Sequence, residues 1–84
     1  MITVHFHNME SDDYFIRVDD LNFPGRFYEG RLNGAQEFNT GQLQTDGKGY
    51  ASVAWTITNP ATGAVAQGRQ SGLTQGQQID VYSP

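Results

Sequence analysis

Apolar residues in this chain recur at every second position, and nowhere at helical spacing for more than a turn. Ile2, Val4 and Phe6 alternate with Thr3, His5 and His7. Tyr14, Ile16 and Val18 share one parity, and so do Ala51, Val53, Trp55 and Ile57. A period of two puts each set on one face of a strand, so an all-β fold is predicted. Between these runs stand turn signals: Pro24-Gly25, Asn33-Gly34, Asp46-Gly47-Lys48-Gly49, Asn59-Pro60 and Gln75-Gly76. Strands are expected over residues 2–6, 14–18, 26–32, 36–45, 50–58, 65–69 and 78–82. About six to seven short strands with such spacing indicate a small antiparallel two-sheet sandwich, Ig-like or related, or alternatively a small β-barrel. Asn33-Gly34 reads as a tight hairpin turn. Trp55 reads as the centre of the core, and the weakly apolar 36–45 segment, interrupted by Gly41, as an edge.

With 84 residues there is room for one domain, residues 1–84, whose core is small enough to need help. The chain has no cysteine, which excludes disulfides and thiolate–zinc sites. What remains is good packing, self-association, or a hard cation held by oxygens. Nine acidic against five basic side chains give a net charge of −4, which argues against nucleic acid as a partner. No apolar run approaches the roughly 20 residues of a membrane span. The first residues show no charged region followed by an apolar stretch, so no signal peptide is read; a soluble chain is expected, either cytoplasmic or the mature form of an exported one. A charged fraction of only 17%, with abundant Gln, Asn, Thr and Gly, suits lectin-like, phage-structural or extracellular β-proteins.

The equipment of an enzyme is missing. His5 and His7 are the only histidines, no G-x-S-x-G elbow is present, and Ser71 sits in a Gln-Ser-Gly turn context. Glu29 and Glu37 flank the Asn33-Gly34 turn, and a hairpin there would let them face each other as a carboxylate pair.

Two candidate metal sites follow from residue type. His5 and His7, at i and i+2, project from one face of the first strand and could ligate Zn²⁺ with Glu10 or Asp80. Asp12 and Asp13, and Asp19 and Asp20, supply oxygens of the kind Ca²⁺ takes, with Asn8 and Asn22 nearby. The strand between the two pairs holds them some 20 Å apart, so they cannot share an ion. The segment from Val18 to Gly25 resembles half of a βγ-crystallin signature around Phe23-Pro24-Gly25. Val18 stands where that signature has an aromatic and no second copy follows, so neither the family nor its calcium site is carried over.

Aromatics supply the remaining signal. Phe23, Phe27 and Tyr28 cluster around an irregular segment that also holds Asn22 and Arg26, and adjacent Phe27 and Tyr28 must point to opposite faces of their strand. Asn22, Phe23, Arg26 and Tyr28 are the candidate binding residues. The expected function is a non-enzymatic interaction module acting through a sheet face or these loop aromatics on a protein partner or on its own copy. Alternatives are a glycan-binding module using Asn22, Gln36 and Asn39, a structural component of a phage or secretion assembly, and a Ca²⁺-stabilised β-domain.

Overall fold

In the computed structural model, which describes Met1–Pro84, the alternating segments become seven strands. These are β1 (His5–Asn8), β2 (Tyr14–Asp20), β3 (Phe27–Leu32), β4 (Glu37–Asn39), β5 (Ala51–Thr58), β6 (Val65–Leu73) and β7 (Gln78–Val81). They form a three-stranded sheet in the order β4-β1-β7 and a four-stranded sheet in the order β3-β2-β5-β6. The sheets stay separate, so the fold is sandwich-like and not a closed barrel. No helix long and apolar enough to cross a membrane is present.

The expected parities hold. Ile2, Val4 and Phe6, then Tyr14, Ile16 and Val18, then Ala51, Val53 and Ile57 all turn inward and are buried. With Leu32, Leu43, Leu73, Ile79 and Val81 they make one core. Phe6, fully buried on the middle strand of the smaller sheet, meets Trp55 edge to face with ring centroids 5.3 Å apart.

Three expectations are corrected. The pairing is not antiparallel throughout: β1 and β7 run parallel, with Phe6 beside Ile79 and Asn8 beside Val81. Alternation along a strand carries no information about its neighbour's direction.

Asn33-Gly34 does not close a hairpin, because β3 and β4 belong to different sheets. The turn, with a bond of 3.0 Å from Gln36 N–H to the Asn33 carbonyl, carries the chain across the sandwich. It leaves Glu29 and Glu37 on separate sheets. Only three residues of the 36–45 segment are strand, and they do lie at an edge as expected.

Trp55, finally, is not the centre of the core but half-buried against it. Three strands cannot cover four, and the inward residues of β6, Ala66, Gly68 and Gln70, are only half-buried. Trp55 lies over that uncovered strip.

Two glycines inside strands, Gly30 and Gly68, are explained by the rings above them. A Cβ on Gly68 would stand 2.3 Å from the Trp55 indole, and one on Gly30 would stand 2.8 Å from the Phe38 ring. Each ring packs on bare backbone, which only glycine permits.

Tyr14 is buried to 1% exposure, and its hydroxyl has no hydrogen-bond partner. Burial pushes this phenol above its ordinary value of 10.0, and the charges of Asp12 and Glu10 push the same way. Tyr14→Phe should therefore leave the melting temperature at pH 7 unchanged or raise it, since it removes an unpaired buried donor costing about 1–3 kcal/mol. As pH rises past 10.0 the unfolded phenol ionises while the folded one resists, so the wild type loses stability there. The variant lacks that contribution, and a shallower alkaline decline in its melting curve checks the assignment. A Tyr14→Phe protein melting several degrees lower at pH 7 would refute it.

Candidate functional site

The residues of opposite parity to the core build the outer face of the four-stranded sheet. Register arranges them in three cross-strand rows. Arg31, Phe15, Thr58 and Val65 form the first, Glu29, Arg17, Thr56 and Gln67 the second, and Phe27, Asp19, Ala54 and Arg69 the third. Phe15 and Phe27 are each 43% exposed, at opposite ends of this face. Three of the chain's five basic side chains lie here, Arg17, Arg31 and Arg69, against two carboxylates, in a chain of net charge −4.

The arginines and phenylalanines are paired with one another. The Arg17 guanidinium lies 4.0 Å from the centroid of Phe27 and 3.2 Å from the Asp19 carboxylate. Arg31 lies 5.4 Å from the centroid of Phe15. Such exposed cation–π contacts contribute about 0.5–1 kcal/mol each and hold long side chains in one place. Glu29, Arg31 and Arg69 have no ion-pair partner.

On this face β3, β2 and β5 together frame a hollow. A depression of about 480 Å³, lined by Phe15, Arg17, Glu29, Arg31, Thr56 and Thr58, opens there. Phe15 and Arg31 also line a second depression of about 470 Å³ at the rim, beside Asp12, Asp13, Asn33, Asn59 and Thr62. The two run together at the Arg31–Phe15 pair.

The candidate binding residues Asn22, Phe23, Arg26 and Tyr28 do come together, at one end of the sandwich, where most of their polar atoms clamp a loop. Asn22 Nδ2 donates to the Gln44 and Tyr50 carbonyls at 3.0 and 3.2 Å. The Tyr28 hydroxyl donates to the Gln42 carbonyl at 2.6 Å, and Arg26 donates to the same carbonyl at 3.4 Å. Arg26 also stacks 4.0 Å from the centroid of Phe23, which is the exposed part of the cluster. Of the adjacent aromatics, Tyr28 turns inward over Gly41 and Phe27 outward.

Of the residues read as calcium ligands, Asn8 and Asp20 tie turns at strand ends, and Asp46 and Asn59 do the same elsewhere in the chain. Asn8 Oδ1 accepts from Glu10 N–H, Asp20 Oδ1 from Asn22 N–H, Asp46 Oδ1 from Lys48 N–H and Asn59 Oδ1 from Ala61 N–H, at 2.8 to 3.0 Å. Each is an Asx turn, a side chain standing in for the next backbone acceptor. The N–H groups of Tyr50 and Lys48 hold the Asp46 carboxyl below its ordinary range. Asp13 accepts from Gly34 N–H at 2.9 Å, and Asp12 lends its carbonyl to Asn8 Nδ2 at 2.7 Å. Asp19 and Asp20 point to opposite faces of β2 and do not meet at one ion.

His5 and His7 share the outer face of the smaller sheet. His5 is paired with Asn39 through its ring nitrogen, and His7 lies in register between Glu37 and Asp80. No three His, Asp or Glu side chains converge to hold a metal.

No family model, curated protein or solved structure matches this chain. The outer face therefore stands on its geometry. Sequence reasoning missed it because Phe15, Arg17, Glu29 and Arg31 become neighbours only once β2 and β3 are paired. The signal available was the polar parity of those two strands, which carries two aromatics and two arginines.

Proposed function

We propose that this chain is a non-enzymatic binding module that engages a protein partner through the outer face of its four-stranded sheet. The observation that carries this reading is the gathering of Phe15, Phe27, Arg17, Arg31 and Arg69 on one open face that holds a ready-formed depression lined by Phe15, Arg17 and Arg31. Aromatics and arginine are the residues that interfaces concentrate, because they bury large area and make several hydrogen bonds from few rotatable bonds. The partner of matching chemistry offers an apolar projection for the hollow, ringed by carboxylates for Arg31 and Arg69. The only imidazoles are on the other sheet, away from this depression.

The absence of cysteine permits a direct test by single-cysteine variants carrying a photo-crosslinker. Thr58→Cys reports on the proposed face and Gln78→Cys on the opposite sheet. Crosslinking in a lysate of the native host should capture a protein through position 58 and not through position 78. Titration of that protein should then weaken at least tenfold in Phe15→Ala and in Arg31→Ala. Equal capture at both positions, or an affinity indifferent to both alanine variants, overturns the proposal.

A further inference from the structure

The four sheet edges of this fold are not equally protected. β4 has three residues and β7 has four, too short to template another strand. β3 is six residues long and carries Glu29 and Arg31. The chain running through β4 packs against it through the Phe38 ring at Gly30 and the Tyr28 hydroxyl bond to the Gln42 carbonyl. β6 is different. It runs nine residues along the outside of the larger sheet. None of the turn and loop hydrogen bonds reaches it, so its outward N–H and C=O groups are unpaired. Natural edges are blunted by charge, proline, bulges or shortness. Between Val65 and Gln70 this edge has only Arg69, and its bulge comes later, between Gln70 and Leu73.

We infer that β6 is a self-association edge: two copies of this chain pair β6 with β6, antiparallel about a two-fold axis at Gly68, into one continuous sheet. The strand is complementary to itself in that register. Gln67 faces the partner's Arg69 and Ala66 faces the partner's Gln70, both within the regular stretch before the bulge. The strand's one charge thus meets a neutral amide and not its own copy, whereas an axis at residue 69 would set Arg69 against itself, which costs stability. Gly68 at the axis presents no side chain on the inner face. The two Trp55 rings, each half-buried over its own Gly68, then close over the seam. Covering the inner side of β6, which the smaller sheet leaves half-exposed, relieves the shortage of core that a chain this short faces. The two outer faces would lie side by side in one plane. The inference does not rest on what that face binds.

The test is sedimentation equilibrium of the full chain from about 10 μM to 1 mM, the range in which a small interface of this kind dissociates. Wild-type protein should show a concentration-dependent monomer–dimer equilibrium. Residue 67 is exposed on the outer face, so its substitution spares the fold, which circular dichroism and melting of each variant verify. The two-fold axis repeats the 67–69 contact, so each substitution acts twice. Gln67→Lys should raise the dimer Kd roughly three- to tenfold, and Gln67→Glu should lower it by a similar factor. A chain that stays monomeric throughout overturns the inference. So does a dimer indifferent to both substitutions, or one lost in Phe15→Ala and kept in Gln67→Lys, which would place the interface on the outer face.

Discussion

Gly34→Ala is expected to lower the melting temperature by about 10–20 °C. A Cβ at this position would stand 2.2 Å from the Ser11 carbonyl oxygen, 2.6 Å from its carbon and 3.0 Å from its Cα. These are backbone atoms, and no rotamer change moves them aside. Nor can the loop retreat cheaply. Ala35 N–H donates to the Glu10 carbonyl at 3.0 Å, Gly34 N–H to Asp13 at 2.9 Å, and Asn8 grips the same loop through Glu10 N–H and the Asp12 carbonyl. Relief of the clash breaks one or more of these bonds, for a total of about 2–3 kcal/mol. In a domain of this length each kcal/mol moves the midpoint by about 4–8 °C. Gly47→Ala is the matched control: nothing lies within 4 Å of the added carbon, and its effect should stay within about 1 kcal/mol. Differential scanning calorimetry of the two variants decides the matter, and equal midpoints would contradict the close approach.

That corner also marks how far the sequence could be read. The parities of β1, β2 and β5 were legible because a core needs apolar residues at every second position, and no other signal had to agree. The strand ends were legible because glycine, proline and Asx residues have local reasons to be there. What was not legible depends on contacts between distant segments. Asn33-Gly34 has the composition of a hairpin, yet Gly34 is required by a loop more than twenty residues earlier in the chain, and that contact sends the chain to the other sheet. Trp55 has the largest side chain on the best strand, but its burial is set by how many strands the opposing sheet supplies. The candidate site shows the same division. Asn22, Phe23, Arg26 and Tyr28 are near in sequence and do cluster, whereas the outer-face arginines and phenylalanines are assembled by the pairing of four strands. Glu29 illustrates the cost of guessing a pairing: its direct neighbour is Arg17 on β2, not Glu37.

Asp19 and Asp20 look interchangeable in the sequence and should differ severalfold in what they contribute to stability. The Asp20 side chain is fully buried at the end of β2. It accepts from Asn22 N–H at 3.0 Å and from Gln44 N–H at 2.7 Å, and Arg26 lies 3.7 Å away. Asp20→Ala leaves two backbone donors unpaired away from water, each costing about 1–3 kcal/mol, and deprives a partly buried guanidinium of its counter-charge. A loss of about 3–4 kcal/mol follows. Small single domains hold only about 5 kcal/mol in total, so the variant should be substantially unfolded at 37 °C. The damage should begin in the loop that Asn22, Arg26 and Tyr28 clamp, because Asp20 holds the Gln44 end of it. Asp19, on the outer face, pairs with Arg17 at 3.2 Å with both side chains well exposed. Such pairs contribute about 0–1 kcal/mol, and Asp19→Ala should shift a urea midpoint only slightly. Equal midpoints for the two variants would show that the buried carboxylate is not what fastens the second strand to the loop beside it.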